Sequence, residues 1–124
     1  MNNIVLILSD ALRYDTAVAN MGILGHLVEA KLASLYKMTG ASTSRPMYET
    51  VHTGLSSSDH GINKDGAHGG TTPEQREVPL FWIQPNVKGR GDTGETISQL
   101  QIAPTVLKLL DVPIPETMKY PALI

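Results

Sequence analysis

The run "NIVLIL" near the start of the chain constrains the fold most. Ile4 to Leu8 are all aliphatic, with no polar residue to face water, and "SD" ends the run. A strand with one solvated face alternates apolar and polar residues, whereas an unbroken short apolar run is the pattern of a strand buried on both faces. Such strands belong to parallel sheets covered by helices, so the run predicts an α/β architecture.

The rest of the chain alternates in the same sense. "MGILGHLVEAKLASL" places Ile23, Leu24, Leu27, Val28 and Leu32 at helical spacing. "LYKM" reads as a second strand. "GASTSRP" is a turn-rich loop, and "PMYETVHTGL" is a short helix with Pro46 in its first turn and Gly54 near its end. Residues 56–76 are polar and rich in Gly, Ser and Asp, an uncommon length for a structureless loop unless it is functional. "VPLFWIQP" is a strand, "NVKGRGDTGET" a turn-rich connection, "QIAPTVLKLLDVP" a helix, and "IPETMKYPALI" an irregular tail. Strands alternating with helices give an α/β fold with a mostly parallel sheet flanked by helices. At 124 residues, a single domain over 1–124 is expected.

Composition narrows the function. A net charge of −2 gives no basic footprint for a nucleic acid polymer or an anionic membrane surface. No stretch approaches the roughly 20 apolar residues of a membrane span, and the N-terminus lacks the basic region of a secretory signal. With no cysteine, His and carboxylates are the strong metal ligands left. A cytoplasmic location is expected.

Asp10 follows the first predicted strand, where open α/β sheets bind ligands. It is equally suited to metal ligation and to capping a helix. Thr43 and Ser44 precede a predicted helix start, whose unpaired N–H groups can hold an anion while a hydroxyl attacks it; capping is the simpler role. His26 lies in a helical stretch and reads as structural or exposed, and His52, inside "ETVHTG", reads as a surface residue. His60 and His68 lie in the Gly-rich loop beside Asp59, and imidazole with carboxylate suits zinc and related divalent ions.

Four stretches together resemble the alkaline phosphatase superfamily, in particular its type I phosphodiesterase/nucleotide pyrophosphatase family: "NIVLILSDALRYD", "SRPMYETVHTGLSSSDHGI", "SDHGINKDGAHGGTTPEQREVPLFW" and "ISQLQIAPTVLKLLDVPIP". The resemblance implies an alkaline-phosphatase-like core and a metal-dependent phosphoric ester hydrolase acting on a small-molecule phosphate ester. Ser44 would be the catalytic nucleophile, selected over Thr43 by its spacing to Thr53-Gly54. Asp10, Ser44, Asp59 and His60 would hold one ion and His68 a second. The ions would be zinc, with manganese as the alternative, set about 4 Å apart to clamp the attacking and leaving oxygens.

Departures from the family pattern shape the expectation. Members are usually at least twice this long and carry a further Asp and His that complete the second metal site. "SSDHGI" here fits two motifs that the family keeps far apart. The chain therefore reads as an internally shortened relative whose second site, reduced to His68, is weak or absent. Apolar faces uncovered by the shortening would favour a homo-oligomer. Gln101 stands where the family often has Asp. Within the superfamily, a sulfatase-like enzyme is disfavoured because Tyr48 occupies its Arg position, and a phosphoglycerate mutase-like enzyme matches less well around Ser44-Arg45-Pro46. The reading from another class is a non-catalytic shortened remnant.

Overall fold

The computed structural model describes residues 3–9, 12–40, 44–56 and 76–124, and for 44–46 the backbone alone. The described residues fall into two compact units, each built from separate stretches of chain: 12–39 with 76–97, and 3–9, 40 and 44–56 with 98–124.

The first of these is a three-stranded sheet covered by two helices. Helix α1 spans Tyr14–Ala19 and α2 spans Ile23–Glu29. Helix α2 ends where Lys31 turns left-handed, at φ 54°. The N–H groups of Lys31 and Leu32 then return to the carbonyls of Val28 and Leu27, at 3.0 and 2.8 Å. This Schellman-type stop satisfies the last turn and releases the chain into a strand. Leu32 thus lies beyond the helix and, like Ile23 at its start, is exposed. The strands are β1 (Ala33–Thr39), β2 (Glu77–Ile83) and β3 (Gly91–Ser98), in the order β2-β1-β3. Central β1 is the best buried. Its Ala33 and Leu35 pack with Val28 of α2 into the core, and Tyr14, Met21, Leu27 and Phe81 close around them.

Strands β1 and β2 pair antiparallel, from Ala33 opposite Ile83 to Thr39 opposite Glu77. Lys37 reaches diagonally to Glu77 at 3.1 Å and sits 4.9 Å from the centre of the Tyr14 ring. Pro79 is tolerated because β2 is an edge strand, where a missing N–H need not break a ladder. Three side chains tie β3 to β1. The Arg90 N–H donates to Ser34 Oγ at 2.8 Å, Thr93 Oγ1 donates to the Leu35 carbonyl at 2.8 Å, and Thr39 Oγ1 donates to the Ile97 carbonyl at 3.3 Å. Residue numbers rise together along both strands, so β1 and β3 run parallel.

The sheet is therefore mixed, and the expectation of a mostly parallel sheet is corrected. The connection from β2 to β3 passes the start of β1, where a Cβ on Gly89 would lie 2.5 Å from the Ala33 backbone, an approach only glycine permits. "LYKM" and "VPLFWIQP" form strands as expected. "NVKGRGDTGET" does not remain a connection, because Gly91–Ser98 becomes β3. Pairing with a buried neighbour overrides the poor strand propensity of Gly and Asp.

The run "NIVLIL" fails in the opposite direction. Residues 3–9 carry no regular secondary structure, and Val5 and Ile7 are exposed. A strand exists only with a hydrogen-bonded neighbour, and no described strand pairs with this one. The expected first parallel strand, buried on both faces, is overturned.

In the second unit, helix α3 spans Ser44–Thr53, and Gly54, at φ 67°, ends it. A 3-10 turn, Gln99–Gln101, leads into helix α4, Ile102–Leu109, with Pro104 in the first turn. The tail beyond α4 folds back on it. The Leu123 N–H donates to Thr105 Oγ1 at 2.9 Å, and Lys108 Nζ to the Ile124 carbonyl at 2.6 Å. Among the described residues, no helix is long and apolar enough to cross a membrane.

Candidate functional site

Ser44 is the first residue of α3, the position at which a hydroxyl meets a helix N-terminus. The first N–H groups of a helix have no intrahelical acceptor. Pro46 has no N–H, so Ser44 and Arg45 supply the N–H groups of the opening turn for which the helix itself has no acceptor. Pro46 also favours helix initiation here, because its ring fixes φ near the helical value.

Two glycines, one before α3 and one at its end, make close contacts. Gly40, upstream of Ser44, abuts buried Gln99, and a Cβ on Gly40 would lie only 2.2 Å from Gln99 Oε1. At the other end, a Cβ on Gly54 would come within 3.2 Å of Met118 Cγ and 3.3 Å of Ala103 Cβ. The Thr53 hydroxyl donates to the Glu49 carbonyl at 2.5 Å and accepts from the Leu55 N–H at 3.2 Å, which shapes the turn after the helix. The Thr53-Gly54 pair that selected Ser44 from the sequence is thus the C-terminal stop of α3. The Gly40–Gln99 contact was not anticipated. Its only trace in the sequence is a glycine four residues before the candidate nucleophile.

Gln101 has a structural role. Its side chain accepts the Ser98 N–H at 3.0 Å while the Ser98 side chain accepts the Gln101 N–H, a capping box, and the Leu100 N–H also donates to the Ser98 hydroxyl at 3.2 Å. Gln101 Nε2 also donates to the Pro121 carbonyl at 3.4 Å. Both ends of the amide are in use, and an Asp at this position could not donate to that carbonyl.

The other expected site residues, Asp10, Asp59, His60 and His68, lie outside the described residues, as does Thr43. Among the described residues no group of three or more His, Cys, Asp or Glu side chains comes together as a metal site. His26 is exposed and lies 3.9 Å from Glu29, and His52 is exposed in the last turn of α3, as the sequence suggested for both.

The described groups with displaced ionisation lie in the sheet unit. Arg90 grips Glu95 through two contacts, at 2.6 and 3.2 Å, and holds its carboxyl below the usual range. Arg13 does the same for Asp15 through a hydrogen bond. Burial, aided by the Asp92 carboxylate, pushes the Tyr14 phenol up. The two arginine pairs are exposed, the setting in which ion pairs contribute little, and they read as surface structure rather than as a catalytic signature.

The chain is 34% identical over 68 residues to GPI ethanolamine phosphate transferase 2 of Candida albicans. The match takes in 47% of this chain and spans 8% of the length of that relative. No family model matches the chain, and no solved structure matches it.

Proposed function

We propose that this chain is a phosphoryl-transfer protein of the alkaline phosphatase type, with Ser44 as its nucleophile. The similarity to a phosphate transferase carries the reading. The location of Ser44 at the start of α3 supports it.

In this reading Ser44 Oγ attacks phosphorus, and its hydroxyl proton ends on the departing alkoxide, which leaves as an alcohol. A serine phosphoester forms as the bond to the leaving alcohol breaks. The N–H groups of Ser44 and Arg45 donate to the oxygens of the phosphoryl group, where negative charge is held in the transition state. Asp10, Asp59 and His60 supply two carboxylates and an imidazole, a donor set suited to zinc or manganese, with His68 as a further imidazole ligand. A bound divalent ion would supply Lewis-acid stabilisation of the attacking and leaving oxygens. The final acceptor is water for a hydrolase and an alcohol for a transferase, and the relative's name favours weighing the second.

Hydrolysis of bis-p-nitrophenyl phosphate with added zinc or manganese tests the proposal. Ser44→Ala should lower the rate on the order of 10³-fold or more, the scale on which loss of a nucleophile acts. Equal rates in both proteins would support a non-catalytic remnant instead. Adding ethanolamine and analysing for a new phosphate ester separates transfer from hydrolysis.

A further inference from the structure

Helix α4 is buried all the way round at its start. Ile102, Ala103, Pro104 and Thr105 are buried in succession. Successive helical residues point about 100° apart, so four in a row face every side and need more than one cover. Helix α3 supplies one, since a Cβ on Gly54 would lie 3.3 Å from Ala103 Cβ. The tail supplies another. Gln101 Nε2 donates to the Pro121 carbonyl, the Leu123 N–H donates to Thr105 Oγ1, and Lys108 Nζ donates to the Ile124 carbonyl. Gln101, Thr105 and Lys108 follow one another at steps of four and three, a single stripe of the helix. Residues 101 and 108 lie about 10 Å apart along it. Three extended residues, as from Pro121 to Ile124, also cover about 10 Å. The tail therefore runs along the stripe, and α4 side chains hold it by its backbone.

The tail also touches α3. Gly54, the buried left-handed residue that ends α3, lies under Met118: a Cβ there would be 3.2 Å from Met118 Cγ and 3.3 Å from Sδ. Gly54 is thus enclosed between α4 and the tail. Residues 113–117, which lead from α4 to Met118, are exposed, and the Met118 N–H closes a turn on the Pro115 carbonyl at 3.0 Å. From 118 to 124 only Met118, Ala122 and Leu123 are partly buried. A segment with little buried apolar surface opens locally, before its domain unfolds.

We infer that residues 118–124 form a strap that opens as one unit about residues 113–117, and that its opening unlocks the end of α3. Two residues separate Met118 from Pro121, too few for one grip to hold while the other moves away. The coupling concerns α3 as a helix and holds whether or not Ser44 attacks phosphorus.

Amide hydrogen exchange of the full chain, followed by NMR, tests this. In the unsubstituted chain the Leu123 amide should exchange through a local opening, at a rate that low urea leaves unchanged, whereas urea should speed the exchange of the α4 amides. Gln101→Glu with Lys108→Met removes two donors to the tail. Glu keeps an acceptor for the Ser98 N–H, and neither position is fully buried. This variant should speed Leu123 exchange at least about tenfold, the scale of two lost hydrogen bonds. The Gly54 amide, bonded to the Thr50 carbonyl at 2.9 Å, should speed up in step, and the α4 amides should not. In a Met118→Ala background the same pair should no longer affect Gly54, because the side chain that couples them is gone. Leu123 exchange as sensitive to urea as that of α4 would show that no separate strap exists, a result that needs no variant to fold. An unchanged Leu123, a rise at Leu123 without one at Gly54, an equal rise throughout α4, or an undiminished effect on Gly54 in the Met118→Ala background would each overturn the inference.

Discussion

Gly40 shows how a single position can be held to glycine by a distant packing partner. The place of its missing Cβ is taken by the end of the Gln99 side chain, and Gln99 is itself buried. Gly40→Ala should therefore destabilise the fold by about 1–3 kcal/mol, the usual penalty for overfilling a packed site. This exceeds the opposing gain of about 0.4–1 kcal/mol from stiffening the unfolded chain. Urea denaturation measures the difference. In a Gln99→Ala background the added methyl has room, so the penalty should shrink; an undiminished penalty would show that its origin is not steric. Ser44, Asp10 and the loop ligands could be nominated from the sequence because hydroxyl, carboxylate and imidazole chemistry belongs to the residue type. The Gly40–Gln99 contact joins residues 59 positions apart and has no local sequence signal.

At the scale of elements, the sheet depends on β1. Leu35 is 1% exposed and lies between α2 and the strand's two neighbours. Leu35→Ala should cost about 2–5 kcal/mol, the range for emptying a well-packed aliphatic site, and thermal or denaturant unfolding would report it. A loss below the lower bound would mean that the helices and sheet can collapse around the cavity. The helices α3 and α4 were readable because their proline and glycine markers act locally, through φ at Pro46, Gly54 and Pro104. The strands were less so. "GDTGET" lacks strand propensity yet forms β3, and "NIVLIL" has it in abundance yet forms no strand. A strand's stability resides in its neighbour, and the neighbour is not written in the segment.

At the scale of the whole molecule, two units are assembled from interleaved stretches of chain. The expected metal chemistry gives a stoichiometry that a single measurement can check. In the proposed function Asp10, Ser44, Asp59 and His60 would make one full ligand set and His68 alone would be left for another, against three protein ligands at an ordinary catalytic zinc. Isothermal titration with zinc should show no more than one tight site per chain, and two would contradict the ligand count. By itself the sequence determined which residue types are available for chemistry and where α3 and α4 start and stop, because these follow from side-chain chemistry and local backbone preference. The tertiary structure alone decided which apolar runs become strands, that the sheet is mixed, and that Gly40 must stay bare. Each of these depends on what a distant part of the chain places alongside, and that proximity exists only once the chain has folded.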